Sequence, residues 1–226
     1  MAPPPTPSTS RGPSRRLFLA GLIFLALVTG ASADTTKVYL YNYDGFPLLI
    51  RAKKPVKLGI DVELFKNDRV EIDADSTAEI TVHESGGIRL SANSSCKVID
   101  PSKDHFHLLV EKGSFLVNLK HLENGLDFTI STPQVSAVAH VPTQFSGRID
   151  PEDAPSHGTH VAIRKGIVDL QILESSSNLR LQEEMAVDAV EGSFIPAPRA
   201  WTPEEAEALR RVNTVPVLEP QKEEKF

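Results

Sequence analysis

The residues best suited to chemistry stand in one run, His105-Phe106-His107-Leu108-Leu109-Val110-Glu111. On an extended strand, residues two apart face the same way. His105, His107 and Glu111 therefore share a face, and two imidazoles with a carboxylate suit iron, manganese or zinc. The competing reading sends Phe106, Leu108 and Val110 into a core and leaves both histidines in water. A second group, Asp150, Asp153, His157 and His160, surrounds the segment 151–158. Pro151, Pro155 and Gly158 argue against the helix on which His157 and His160 could chelate, so this group reads as a solvated loop. Cys96 opens a strand after Ser94-Ser95 and reads as a small buried hydrophobe, since no basic neighbour in sequence would activate it. No Gly-x-Ser-x-Gly elbow and no glycine-rich phosphate loop before a helix is present. The expectation is a protein with no catalytic residues and no cofactor.

The H-x-H-x3-E string resembles the core of the cupin motif. Ile99 stands where that motif has its leading glycine, and Gly113 comes too early for the following one. The second cupin motif, P-x-G-x2-H-x3-N, is absent; His121-Leu122-Glu123-Asn124 is similar only to its end. A metal-dependent, cupin-like enzyme using His105, His107 and Glu111 is thus an alternative to the non-enzymatic reading.

Composition narrows the classes further. The 226 residues carry a formal charge of −6, which argues against nucleic acid as the main partner. One cysteine excludes an internal disulfide framework. Residues 1–33 contain Arg11, Arg15 and Arg16 and no acid, then the apolar run Leu17–Val28, then Ala31-Ser32-Ala33. That order is a signal peptide, with cleavage expected after Ala33. The apolar run is short of the roughly 20 residues a bilayer crossing needs, although retention as an anchor is the alternative. Ser14-Arg15-Arg16-Leu17-Phe18-Leu19 is similar to a twin-arginine export signal, with Ala20 in place of its lysine. The Leu- and Phe-rich run fits the general secretory route. No cysteine stands at the cleavage site, so a lipoprotein anchor is excluded. Losing three arginines and no acid takes the net charge from −6 to −9. The mature protein is expected in the periplasm or outside the cell, with no membrane span.

The elements that position these residues are strands. In Ala78–His83, Ala78, Ile80 and Val82 share one face and Glu79, Thr81 and His83 the other. In Ser114–Leu119, Phe115, Val117 and Leu119 oppose Ser114, Leu116 and Asn118. Alternation of this kind marks half-buried strands. Further candidates are Val38–Tyr43, Leu48–Ala52, Arg69–Asp73, Ile88–Leu90, Lys97–Ile99, Phe106–Glu111, Asp127–Ser131, Val135–Val141, Gln144–Ile149, His160–Arg164, Val168–Leu173, Leu179–Leu181 and Ala186–Val190. Ser85-Gly86-Gly87, Lys112-Gly113, Asn124-Gly125 and Lys165-Gly166 sit between apolar runs, where glycine permits hairpin turns. The strand Ser114–Leu119 is expected to form a hairpin with Asp127–Ser131 across Asn124-Gly125, with Asn118 facing water. Ser193–Arg199 reads as a proline-containing linker. Thr202 caps a helix reaching Val212, with Pro203 as its first residue and Glu205 closing a capping box. Trp201 can staple onto Ala206. Residues 213–226 read as a disordered tail.

Taken in order, residues 58–192 resemble the FecR domain, an extracytoplasmic β-domain family of bacteria. Leu64-Phe65-Lys66-Asn67-Asp68-Arg69-Val70 is similar to its L-x-x-G-D-x-V segment, with Asn67 where glycine is usual. The stretch from Ala78 to Leu90 looks like its strand-turn-strand with a central glycine, and Asn93-Ser94-Ser95 stands where an x-x-S turn follows. Leu108–Gly113 resembles l-x-l-x-x-G, Phe128–Pro133 resembles f-x-v-x-T-P, and His160–Val168 resembles t-x-v-x-V-x-x-G-x-V. Pro142-Thr143-Gln144-Phe145 departs from the family's G-T-x-F, so the local turn must differ there. The resemblance implies an all-β fold, a FecR-like solenoid or roll or a twisted sandwich, spanning 34–192, followed by the short helix and tail. It implies a non-enzymatic binding or regulatory module of the cell envelope, whose partner is an envelope protein or glycan. The 16 residues before the apolar run cannot form the cytoplasmic segment that family sensors use on sigma factors, so that role is not carried over. A passive glycan- or peptidoglycan-binding component is the second alternative.

Overall fold

The computed structural model describes residues 37–82, 84–102, 104–122, 126–154, 157–192 and 197–216, all within the unit Ala33–Phe226. The leader segment, its cleavage position, His83, Asn124-Gly125 and residues 217–226 lie outside the described residues. In chain order the strands are β1 (Val38–Asp44), β2 (Leu48–Arg51), β3 (Lys54–Val56), β4 (Val62–Glu63), β5 (Arg69–Glu71), β6 (Thr77–Val82), β7 (Gly86–Leu90) and β8 (Ser95–Pro101). They continue as β9 (His105–Leu119), β10 (Asp127–Ser131), β11 (Val135–Ala139), β12 (Gln144–Ile149), β13 (Gly158–Lys165), β14 (Val168–Ile172), β15 (Ser177–Leu181) and β16 (Ala186–Val190). Helix α1 (Pro203–Arg211) and a 3₁₀ turn (Val212–Thr214) follow. The fold is all-β with one short helix, as the sequence implies.

The strands form two sheets that share β9. The first runs β4-β1-β6-β7-β9-β12-β13-β16, and the second runs β3-β2-β5-β8-β9-β10-β11-β14-β15. One core joins them. Ile80, Ile88, Val117 and Phe145 of the first sheet and Val98, Phe106, Leu108 and Phe128 of the second are fully buried in the same cluster. The Phe106 and Phe128 rings lie 5.0 Å apart, and Phe115 meets Phe145 edge-on at 6.2 Å.

Two expectations fail in β9. Lys112-Gly113 is not a hairpin turn, because β9 runs unbroken through fifteen residues. Gly113, at φ +88°, is the corner where β9 leaves the second sheet and enters the first. A Cβ there would meet the Ser94 backbone and side chain within 2.7 Å. Gly166, at φ +87°, does the same between β13 and β14. The proposed hairpin is also absent. β10 pairs with the first half of β9, in parallel, Phe128 opposite Phe106. The second half, Ser114–Leu119, lies between β7 and β12. The inward phase of Phe115, Val117, Phe128 and Ile130 is nevertheless correct. Strands β3 and β4 have no counterpart among the expected segments; both are two to three residues long.

The motif residues hold the corners. Asn67 has φ +70°, which explains why glycine suits that position. Asp68, 1% exposed, accepts three hydrogen bonds from Arg51 and one from the Phe65 amide. Ser94 bridges the Ser114 amide and carbonyl beside Gly113. Thr132 Oγ1 accepts from the Gln134 and Val135 amides and lies 2.9 Å from Thr159 Oγ1. Around Pro142-Thr143, Thr143 is buried and donates to the Val141 carbonyl, and the β12–β13 register shifts between Gln144 and Phe145.

Candidate functional site

Outward-facing residues of the first sheet were expected to meet water; here the C-terminal segment covers them. Helix α1 begins as its sequence dictates. The Glu205 amide donates to Thr202 Oγ1, and the Thr202 amide donates to the Glu205 carboxylate. Leu209, Val212 and Val215 then bury themselves against Leu116, Ala162 and Ala186 on the outer face, with Trp201 and Ala208 packed alongside. The segment expected as tail is therefore docked as far as Pro216, whose carbonyl a Cβ on Gly87 would strike at 2.0 Å. Arg199, expected in the linker, forms a two-way backbone bridge with Ala186. Asn118 is 1% exposed; its Nδ2 donates to the Val215 carbonyl, and its Oδ1 accepts from Gln144.

Charged groups fasten the segment. The Arg199 guanidinium donates to both oxygens of Asp188 and both of Glu205. Hydrogen bonds from Arg199 and then His160 hold the Asp188 carboxyl below its ordinary range. Burial opposes ionisation of Glu205, but hydrogen bonds from Arg199 and Thr202 outweigh it and lower that carboxyl too. His160 lies on β13, as the expected strand His160–Arg164 has it, and not in the solvated loop with which its carboxylate and histidine neighbours grouped it. Its Nδ1 is 2.6 Å from Asp188 Oδ1 and its Nε2 2.8 Å from Asp150 Oδ2. Arg89 donates to Glu79 and to both the hydroxyl and carbonyl of Thr214.

Between α1 and the sheet lies an open cleft of about 640 Å³. Its floor carries Ser91, Ser114 and Ser146, and its walls carry Arg148, Glu204, Glu207 and Arg211. The spacing of Arg148 and His160 gave no sign of it, because β12 and β13 become neighbours only by pairing.

The histidine run is arranged differently from a metal centre. His105, His107 and Glu111 are half-buried on the outer face of the second sheet, and Phe106, Leu108 and Val110 enter the core. His107 Nε2 lies 2.9 Å from Ser131 Oγ, while Glu111 pairs with Arg69 at 2.9 Å. Burial, then the neighbouring His105, pushes the His107 imidazole below its usual value. The β8–β9 register shifts twice along this stretch. Among the described residues no group of three or more His, Cys, Asp or Glu side chains could hold a metal ion. Asp153 is exposed, and His157 Nδ1 lies 3.3 Å from the Pro151 carbonyl, apart from the His160 network. Burial pushes the Cys96 thiol up to about 12, and no helix among the described residues is long and apolar enough to cross a membrane.

No family model and no curated protein matches this chain. Two crystal structures of a candidate anti-sigma factor from Parabacteroides distasonis share its fold, at TM-score 0.52 and 14% identity. The match covers 63% of this chain and 64% of the Parabacteroides chain, so the likeness spans just under two thirds of that protein.

Proposed function

We propose that this chain is an exported, non-catalytic FecR-like module that binds another macromolecule of the bacterial envelope. The observation that carries this reading is the structural duty of the motif residues. Asn67, Asp68, Ser94, Gly113, Thr132 and Gly166 shape and brace strand ends and the crossings between sheets. A sequence pattern spent on corners specifies a scaffold, and function on such scaffolds lies in surfaces added to it. The fold shared with the anti-sigma candidate supports a regulatory rather than enzymatic setting. The leader pattern supports a periplasmic or secreted address.

The test has two arms. The chain is expressed in a bacterial host, and the processed protein is fractionated and sequenced from its N-terminus. A mature product in the periplasm or medium beginning at Asp34 is expected; an unprocessed cytoplasmic product would overturn the exported part. Site-specific photocrosslinking from the outer face of the first sheet should then trap one defined envelope protein. Sedimentation with purified peptidoglycan in place of such a crosslink would favour a passive wall-binding role instead.

A further inference from the structure

We infer that the cleft between α1 and the first sheet is a binding site for a short zwitterionic peptide, one carrying a free carboxylate and a free ammonium. This deepens the binding-module reading and rests on it. The described arginines differ in how fully their guanidinium groups are used: Arg69 approaches Glu71 and Glu111 at 3.3 and 2.9 Å, and away from the cleft lining Arg164 and Arg210 each make one bond, to the Leu209 carbonyl and to Glu207. Arg51, Arg89, Arg180 and Arg199 each place at least two nitrogens on a carboxylate. Arg148 spends one nitrogen on Glu204 at 2.7 Å and only approaches Asp150, at 3.8 Å. Arg211 spends one on Glu207 at 3.3 Å. These two line the cleft. A guanidinium has five donors, and its fork takes a carboxylate through two parallel bonds.

The carboxylates that now engage them are exposed. Glu204 and Glu207 have side chains 73% and 51% exposed, and exposed pairs of this kind hold weakly. A ligand carboxylate can take the Arg148 fork while its ammonium takes the glutamate released. The more buried pairs, Arg89 with Glu79 and Arg199 with Glu205, are each held by two hydrogen bonds. Ser91, Ser114 and Ser146 on the floor supply hydroxyls suited to peptide amides. The volume lies within the range of small-ligand sites. A saccharide fits less well, because of the two rings in the lining Phe115 is 1% exposed and the His160 imidazole, 19% exposed, is held between Asp150 and Asp188, which leaves little stacking face.

The experiment is titration calorimetry of the mature chain with the tripeptide Ala-Ala-Ala, whose two termini are its charged groups, with its N-acetylated and C-amidated form, and with diacetylchitobiose. The free tripeptide should bind at least tenfold more tightly than the capped form and more tightly than the sugar. Arg148→Gln should weaken it at least tenfold, while Arg180→Gln, on the second sheet, should leave it unchanged, with both variants melting as the parent does. Equal affinity for free and capped peptide, preference for the sugar, no binding, or an unchanged Arg148→Gln would each overturn the proposal. Loss of peptide binding with the envelope crosslink retained would remove this site and leave the broader reading standing. Loss of the crosslink with peptide binding retained would do the reverse.

Discussion

Asn118 and Val117 are neighbours on β9 that alternation sends to opposite faces. Alternation alone makes Val117→Asp damaging and Asn118→Asp harmless. The structure changes the second expectation. Val117 is fully buried in the core, so its replacement by an unpaired carboxylate should cost on the order of 4 kcal/mol. Asn118 is also buried, under the 3₁₀ turn, and Asp would lose the donor to the Val215 carbonyl and set a charge beside it. That change should cost about 1–3 kcal/mol. Thermal melts of both variants check the order. Faster proteolysis confined to the C-terminal segment identifies Asn118→Asp, and an unaltered Asn118→Asp protein would show that the docked segment is absent in solution. Cys96 belongs with these buried groups. Fully buried and raised to about 12, its thiol should stay unreactive toward a disulfide reagent at pH 8 until the protein unfolds.

β9 is the element on which the architecture turns. It serves both sheets because Gly113 lets the strand change direction without breaking, at a φ few other residues tolerate. Gly113→Ala would combine backbone strain with a clash on Ser94. The expected result is a loss of several degrees in melting temperature or failure to fold. By contrast Gly59, with open space around its Cβ position, should accept alanine with little change. Comparable melts for the two variants would contradict the shared-strand arrangement. Helix α1 is the other element that only packing explains. Its caps and first-turn acids were written in the residues from Thr202 to Glu205, yet nine residues do not hold a helix alone in water. Leu209, Val212 and Val215 supply what propensity lacks, by burying apolar area worth about 1.5–3 kcal/mol per side chain before the cost of ordering.

At the scale of the whole described unit, two sheets share one core and the C-terminal segment covers the outer face of the first. Asp188 and Glu205 both have carboxyls lowered in the folded state. A lowered carboxyl contributes stability that is complete above its unfolded value, near 4, and is lost as pH falls through the lower, folded value. Mild acid below about pH 4 should therefore loosen the C-terminal segment. Tryptophan emission follows this directly, since Trp201 packs against the cover's own cluster and is the chain's one tryptophan. Asp188→Asn should abolish much of that acid transition while lowering stability at neutral pH. An identical emission profile in the variant would assign the transition elsewhere. Removing the chain from Arg199 onward should keep the β-type circular dichroism, because the main core contains no residue of that segment. It should also lower the melting temperature and raise binding of an apolar dye to Leu116, Ala162 and Ala186.

What the residues determined by themselves is local. Period-two alternation placed most of the strands and chose their inward faces, because a side chain's face follows from its parity alone. Gly113 and Gly166 marked changes of chain direction, because their positive φ is one that glycine adopts without strain, although Gly113 turned out to bend one strand and not to join two. Thr202, Pro203 and Glu205 started the helix through contacts that never leave the first turn. Which strands become neighbours was decided only in three dimensions. Asp127–Ser131 pairs in parallel with the first half of β9, not as a hairpin with the second, since pairing partners are chosen by how one shared core closes. The same holds for the cleft. Arg148, His160 and Glu204 are separated by 12 and 44 positions in sequence. Arg148 and His160 meet because β12 pairs with β13, and Glu204 joins them because a C-terminal segment with three apolar side chains finds an outer sheet face that Leu116, Ala162 and Ala186 had left incompletely polar. That complementarity is a property of two surfaces and has no signature in either stretch of sequence.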